Sequence, residues 1–191
     1  WGVLMLVVGV FAGTQMLGWH LDGTPRCAAF ASGTTCVLSW GWKDAAAIQA
    51  GAAWRLLTAA LLHGDAVHLA LNGLALALLV PRVERVVGVW RTGSILLAAA
   101  LAGNGASLLG TPLPALGASG MVFGLIGALL VVRWRIPAAV PGDQAVLLAL
   151  IVIGSVAVGL LLPTVDTAAH LGGLVGGAVI AGAGGDPRRY H

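Results

Sequence analysis

Residues 117–132 read Gly-Ala-Ser-Gly-Met-Val-Phe-Gly-Leu-Ile-Gly-Ala-Leu-Leu-Val-Val, an apolar run with Ser119 at its head and Arg133 and Arg135 just beyond it. As a helix from Ser119 to Val132 it would be about 21 Å long at 1.5 Å per residue. A bilayer's hydrocarbon core is about 30 Å thick, so the run is too short to cross alone. Its missing outer part must be replaced by protein or water, and a submerged, wet cavity at Ser119 is the natural consequence.

The rest of the chain supports a membrane setting. Of its 191 residues, 59% are hydrophobic and 9% charged, against roughly 25% charged in a soluble domain. The mean hydropathy is +0.96. Such a chain could not keep its surface wet, which excludes a soluble globular domain. Nucleic acid is not expected as a partner, because the net charge of +3 comes from scattered Arg and not from a basic stripe. Five more apolar stretches lie near 2–18, 56–80, 93–110, 145–163 and 167–184. The expected fold is therefore an all-α membrane protein, a six-transmembrane-helix bundle forming one domain over 1–191.

No basic segment precedes the first stretch and no A-x-A site closes it, so it reads as a span and not a signal peptide. A chain opening on Trp1 is expected to have lost a natural N-terminal piece. Seven of the ten cations (Arg82, Arg85, Arg91, Arg133, Arg135, Arg188 and Arg189) follow the second, fourth and sixth stretches. Arg26, Lys43 and Arg55 lie on the other side. The positive-inside rule then makes both termini cytoplasmic and turns loop 19–55 outward, with the connections near 104–117 and 163–166. The expected location is the cell membrane, as a multi-pass protein. Loop 19–55 carries Trp19, Trp40, Trp42 and Trp54, which favour an interfacial position, and 41–55 suits one or two short amphipathic helices. Cys27 and Cys36 face the oxidising side; a disulfide between them is expected, with two free thiols as the alternative.

Polar residues inside apolar runs are the informative ones. The second stretch contains His63, Asp65, His68 and Asn72; Ser119 heads the fourth; His170 lies near the start of the sixth. Counted from Arg82, Arg133 and Asp186, residues His68, Ser119 and His170 share one level, roughly 20–24 Å above the cytoplasmic boundary and about 5–10 Å below the outer surface. Asn72 lies one turn from His68 on the same helical face. Glycines flank the pair: Gly117, Gly120, Gly124 and Gly127, then Gly172, Gly173, Gly176 and Gly177. Small residues at this spacing let helix backbones approach closely.

A serine hydroxyl needs a base to become a nucleophile, and His170 is the candidate. Singly, Ser119 reads as a packing residue and His170 as a structural or gating group; together, at one depth on two glycine-lined helices, they favour catalysis. His68 and Asn72 could donate to an oxyanion beside Ser119. Asp166, four residues before His170, reads as a helix N-cap in preference to a third triad member. No H-E-x-x-H, paired intramembrane carboxylates or phosphate loop occurs, so neither metal nor cofactor is expected. Residues 73–80 and 121–132 carry no polar lane, which argues against a channel or transporter.

Trp54-Arg55, HGDAVHLALN (63–72), Glu84 with Gly88, GASGMVFG (117–124) and AHLGGLVGG (169–177) follow one another in this order. From Trp54 onward the chain resembles the rhomboid intramembrane serine proteases. The resemblance implies a dyad, with Ser119 as nucleophile and His170 as general base and then acid. It also implies an oxyanion hole of His68, Asn72 and the Ser119 backbone N–H. Gly117, Gly173, Phe123 and His63 would be structural, with His63 bracing the first loop and Arg55 and Glu84 serving architecture. Phe123 stands where some relatives carry Tyr and should still stack on His170. The implied partners are membrane lipid and transmembrane substrates, cut near their outer ends after small residues. The competing function is a catalytically inactive rhomboid-like protein that binds transmembrane segments.

Overall fold

Backbone surrounded by lipid must satisfy its own hydrogen bonds, and the apolar runs do so as helices. The computed structural model describes residues 2–162 and 165–183, and among these it is helical, with one isolated backbone bridge between Lys43 and Ala115. The helices are α1 (Gly2–Leu21), α2 (Gly33–Ser39), α3 (Ala45–Gln49), α4 (Arg55–Thr58), α5 (Ala66–Val87), α6 (Val89–Gly110), α7 (Ser119–Arg135), α8 (Gly142–Leu161) and α9 (Thr167–Ala183). Four of them, α1, α5, α6 and α8, are long and apolar enough to cross a membrane. The other two apolar helices, α7 and α9, have 17 residues each, about 26 Å at 1.5 Å per residue.

Several boundaries differ from the hydropathy reading. The stretch 56–80 is not one helix: α4 and a short 3₁₀ turn (Ala59–Leu61) end at an extended Leu62, and α5 starts afresh at Ala66. The cause is Asp65, whose extended backbone and side chain cap α5 by accepting from the His68 N–H at 2.8 Å. His63 and Asp65 therefore precede the helix instead of lying within it. At its other end α5 runs on through Arg82, Glu84 and Arg85. It is joined to α6 by Gly88 alone, at φ +83°, a backbone conformation that glycine adopts without strain. The third stretch thus begins at Val89 and the fifth at Gly142, and Trp19 belongs to the last turn of α1. Pro163, Asp186, Arg188, Arg189 and the end of the sixth stretch at 184 lie outside the described residues.

The centre of the molecule is the trio α6, α7 and α9. On α7, Leu125, Ile126 and Ala128 are at most 1% exposed. Glycine sets the separations: a Cβ on Gly172 would stand 2.5 Å from the Ala102 carbonyl oxygen, and one on Gly103 would stand 2.8 Å from that of Ala169. Cβ atoms on Gly173 and Gly127 would overlap the carbonyl oxygens of Gly120 and Leu174. Around this centre the outward faces are apolar. On α5, Val67, Leu71, Leu74 and Leu78 make an exposed stripe at helical spacing. Helix α8 buries only Leu148 among its residues.

The first loop is tied down by polar contacts. Cys27 and Cys36 are joined by a disulfide. Asp22 Oδ1 accepts from the Gly33 N–H at 2.7 Å, and Arg55 Nη1 donates to the carbonyls of Ser39 and Trp42 at 2.8 and 3.1 Å.

Candidate active site

The segment before Ser119 is non-helical backbone beside apolar helices, which requires that its polar groups find partners. Ala115 exchanges two backbone hydrogen bonds with Lys43, at 2.8 and 3.2 Å. The Gly117 N–H reaches the Ala59 carbonyl at 2.9 Å, and the Ala118 N–H reaches His63 Nε2 at 3.4 Å. Lys43 of the first loop, with Ala59 and His63 from the segment between that loop and α5, thus fixes the chain just ahead of Ser119. Gly117 is required twice over: its φ is +127°, and a Cβ there would stand 2.7 Å from the His68 ring. No side chain caps the head of α7, so its first N–H groups point out of the helix end unclaimed by a cap.

Opposite this head stands His170, in the first turn of α9. Its Nε2 lies 3.0 Å from Ser119 Oγ, and its Nδ1 lies 2.8 Å from Ser155 Oγ on α8. The Phe123 ring lies parallel to the imidazole, with centroids 4.4 Å apart and an interplanar angle of 4°. Phe123 is one turn beyond Ser119, so the helix that carries the hydroxyl also carries the plate on which the imidazole rests.

Asp166 does not touch His170 through its side chain. Its Oδ1 accepts from the Ala169 N–H at 2.9 Å, and Oδ2 accepts from the Ser107 hydroxyl on α6. The cap engages Oδ1, and the bond to Ser107 engages Oδ2. Close by is Lys43, the chain's one lysine, fully buried, with Nζ donating to the carbonyls of Thr111 at 2.8 Å and Ser107 at 3.4 Å. Burial lowers its pKa from the usual lysine value, and the attraction of Asp166 and then Asp44 opposes that shift. The group ties the first loop, the end of α6 and the start of α9 together around the Ser119 segment.

His68 packs its ring against Gly117, and edge-on against His63 with centroids 5.0 Å apart. Asn72 donates Nδ2 to the His68 carbonyl at 3.0 Å; this amide nitrogen carries a second N–H. His63, in the turn before α5, is fully buried and holds the backbone beside Ser119. Gly173 sits against Gly120, one residue past Ser119. A small cleft adjoins Ser119, lined by Ala60, Gly103, Asn104, Gly120, Asp166 and others. Asn104 is fixed there by donating to the Leu56 carbonyl at 2.9 Å.

Lys43, Asn104, Ser107 and Ser155 escaped the sequence reading. The last three are polar residues inside apolar runs, the signal that singled out Ser119 and His170. Lys43 gave no such signal, because its place in a loop reads as solvated.

Residues 50–185 match the rhomboid domain family. The chain is 37% identical over 155 residues to Rhomboid protease GluP of Bacillus subtilis (strain 168), covering 81% of this chain and 31% of that protein. RHOMBOID-like protein 4 of Arabidopsis thaliana is 37% identical over 135 residues, covering 66% and 33%. RHOMBOID-like protein 6, mitochondrial, from the same plant is 36% identical over 143 residues, covering 71% and 44%. The chain thus spans about a third of the length of the first two of these curated relatives. Since the match runs from the end of the first loop through α9 and takes in both the serine and the histidine helices, this chain belongs to the rhomboid family of integral membrane proteins.

Proposed function

We propose that the protein is an intramembrane serine endopeptidase that cuts transmembrane segments near their outer ends. The observation that carries the reading is the 3.0 Å approach of Ser119 Oγ to His170 Nε2. In the proposed reaction Nε2 takes the hydroxyl proton as Oγ attacks the substrate carbonyl. The tetrahedral oxyanion receives the Ser119 backbone N–H, with His68 and the second amide N–H of Asn72 turned toward it. The imidazolium then gives its proton to the departing amine; a water, losing a proton to Nε2, next attacks the acyl-enzyme ester, and the C–Oγ bond breaks to release the new carboxyl end and restore the Ser119 hydroxyl.

Chemistry of this kind inside a bilayer needs water, and the short α7 supplies the room. Its head, in this reading, stops below the outer surface, and Ala115, Leu116 and Gly117 of the preceding segment wall the cleft beside Ser119. In this reading α1, α5, α6, α7, α8 and α9 form a six-span bundle in the cell membrane, one domain over 1–191 with both termini cytoplasmic. Arg82, Arg85, Arg133 and Arg135, at the far ends of α5 and α7 from His68 and Ser119, support that orientation.

The test is cleavage of a reporter transmembrane substrate in proteoliposomes, with fluorophosphonate labelling of the same samples. Wild type should cleave and label, while Ser119→Ala and His170→Ala, still folded, should do neither. Near-native cleavage by either variant refutes the dyad. A folded wild type that neither cleaves nor labels would instead be an inactive binder of transmembrane segments.

A further inference from the structure

Only one of the two ring nitrogens of His170 faces Ser119. A neutral imidazole carries a single proton, on Nδ1 or on Nε2. To take the serine's proton, Nε2 must be bare, which places the ring proton on Nδ1 and demands an acceptor there. Asp166 turns its carboxylate to Ala169 and Ser107. Among the described residues, the hydrogen-bond partner of Nδ1 is Ser155 Oγ, at 2.8 Å.

Ser155 is the one hydroxyl residue of α8, in the apolar run Leu147 to Leu162. Hydroxyls in such runs commonly turn back on their own helix, as Thr92 and Ser94 do by donating to the carbonyls of Gly88 and Trp90. Ser155 instead reaches across to α9. Its contact completes a three-point hold on the imidazole: Phe123 fixes the tilt of the ring, and the two serines, at opposite corners, fix its rotation within the plane.

We propose that Ser155 is a positioning residue whose Oγ accepts a hydrogen bond from the Nδ1–H of His170, selecting the tautomer in which Nε2 serves as base and aiming that nitrogen at Ser119. This rests on the dyad reading above. A hydroxyl in this place does part of what a triad carboxylate does: it sets tautomer and direction, without adding a countercharge for the imidazolium. Because α8 packs lightly on the rest of the molecule, the bond also makes the histidine's aim depend on where α8 stands.

Two measurements on the full chain test this. Ring-¹⁵N histidine spectra in detergent micelles, with the His170 signal assigned by its loss in His170→Gln, should show the Nδ1–H form in wild type. Ser155→Ala should shift that signal toward the other tautomer, and Ser155→Thr should restore it. In cleavage assays Ser155→Ala should lower kcat about 10- to 100-fold, the range for lost partners that orient a histidine, with KM unchanged and Thr again restoring the rate. A Ser155→Ala variant with wild-type tautomer and kcat, beside an inactive Ser119→Ala, overturns the positioning role and spares the dyad. A loss shared by Ala and Thr and dominated by KM overturns it in favour of packing. If Ser119→Ala cleaves normally, the dyad falls, and the tautomer spectra alone decide whether Ser155 holds the ring.

Discussion

The carbonyl oxygen of Gly124 on α7 occupies the space into which a Cβ on Gly177 of α9 would project. The two helices that carry Ser119 and His170 thus meet backbone to backbone, and their separation is set by the absence of side chains. Gly177→Ala must push them apart. We expect a loss of about 1–3 kcal/mol, the usual cost of overpacking a core, and a larger loss of cleavage because the 3.0 Å approach opens. Thermal unfolding in detergent and the cleavage assay check both. Gly13→Ala on α1, where a Cβ meets nothing within 4 Å, should leave both unchanged; wild-type behaviour of Gly177→Ala would show the packing to be slack.

Asp166 holds the start of α9 by a cap and a bond to Ser107. Asn keeps an oxygen for the Ala169 N–H and can turn its amide toward the Ser107 oxygen. Asp166→Asn should therefore keep cleavage within about tenfold of wild type, and Asp166→Ala should cost about 1 kcal/mol for the lost cap. A drop of several orders of magnitude in the Asn variant would mean that the carboxylate itself takes part in catalysis.

Phe123 lies flat on His170. An aromatic pair of this kind is worth about 0.5–1.5 kcal/mol beyond its buried area, so Phe123→Leu should lower kcat by about two- to tenfold. Phe123→Tyr keeps the face and should match wild type. Equal rates for all three would leave the ring's tilt to the hydrogen bonds alone.

Lys43 makes stability depend on alkaline pH. Its folded-state pKa is lowered by burial, so between that value and the ordinary lysine range the unfolded chain binds more protons than the folded one. Folding stability then rises with pH across that window. Below it, the full cost of burying the ammonium is present; as the pH rises through it, the cost is relieved. The melting temperature in detergent should climb as the pH rises toward about 10, and Lys43→Met should remove most of the climb. A flat profile in wild type would show that attraction to Asp166 and Asp44 cancels the burial.

Sequence alone determined the membrane character, the apolar runs and the serine and histidine helices. Those properties are local: hydropathy decides what partitions into lipid, and a polar residue inside an apolar run stands out within its own helix. The break at Leu62–Asp65 was local too, yet hydropathy hid it, because Leu61 and Leu62 continue the apolar run while Asp65 starts a new helix through one side-chain cap. Only the tertiary structure decided what stands behind His170, since Ser155 is 15 residues away on another helix. It alone buried Lys43 against the end of α6, 64 residues distant at Ser107. Hydropathy and spacing report one helix at a time; the partner of a ring nitrogen or of a buried ammonium depends on how helices distant in the chain are packed together, and glycine-to-backbone contacts among α6, α7 and α9 set that packing.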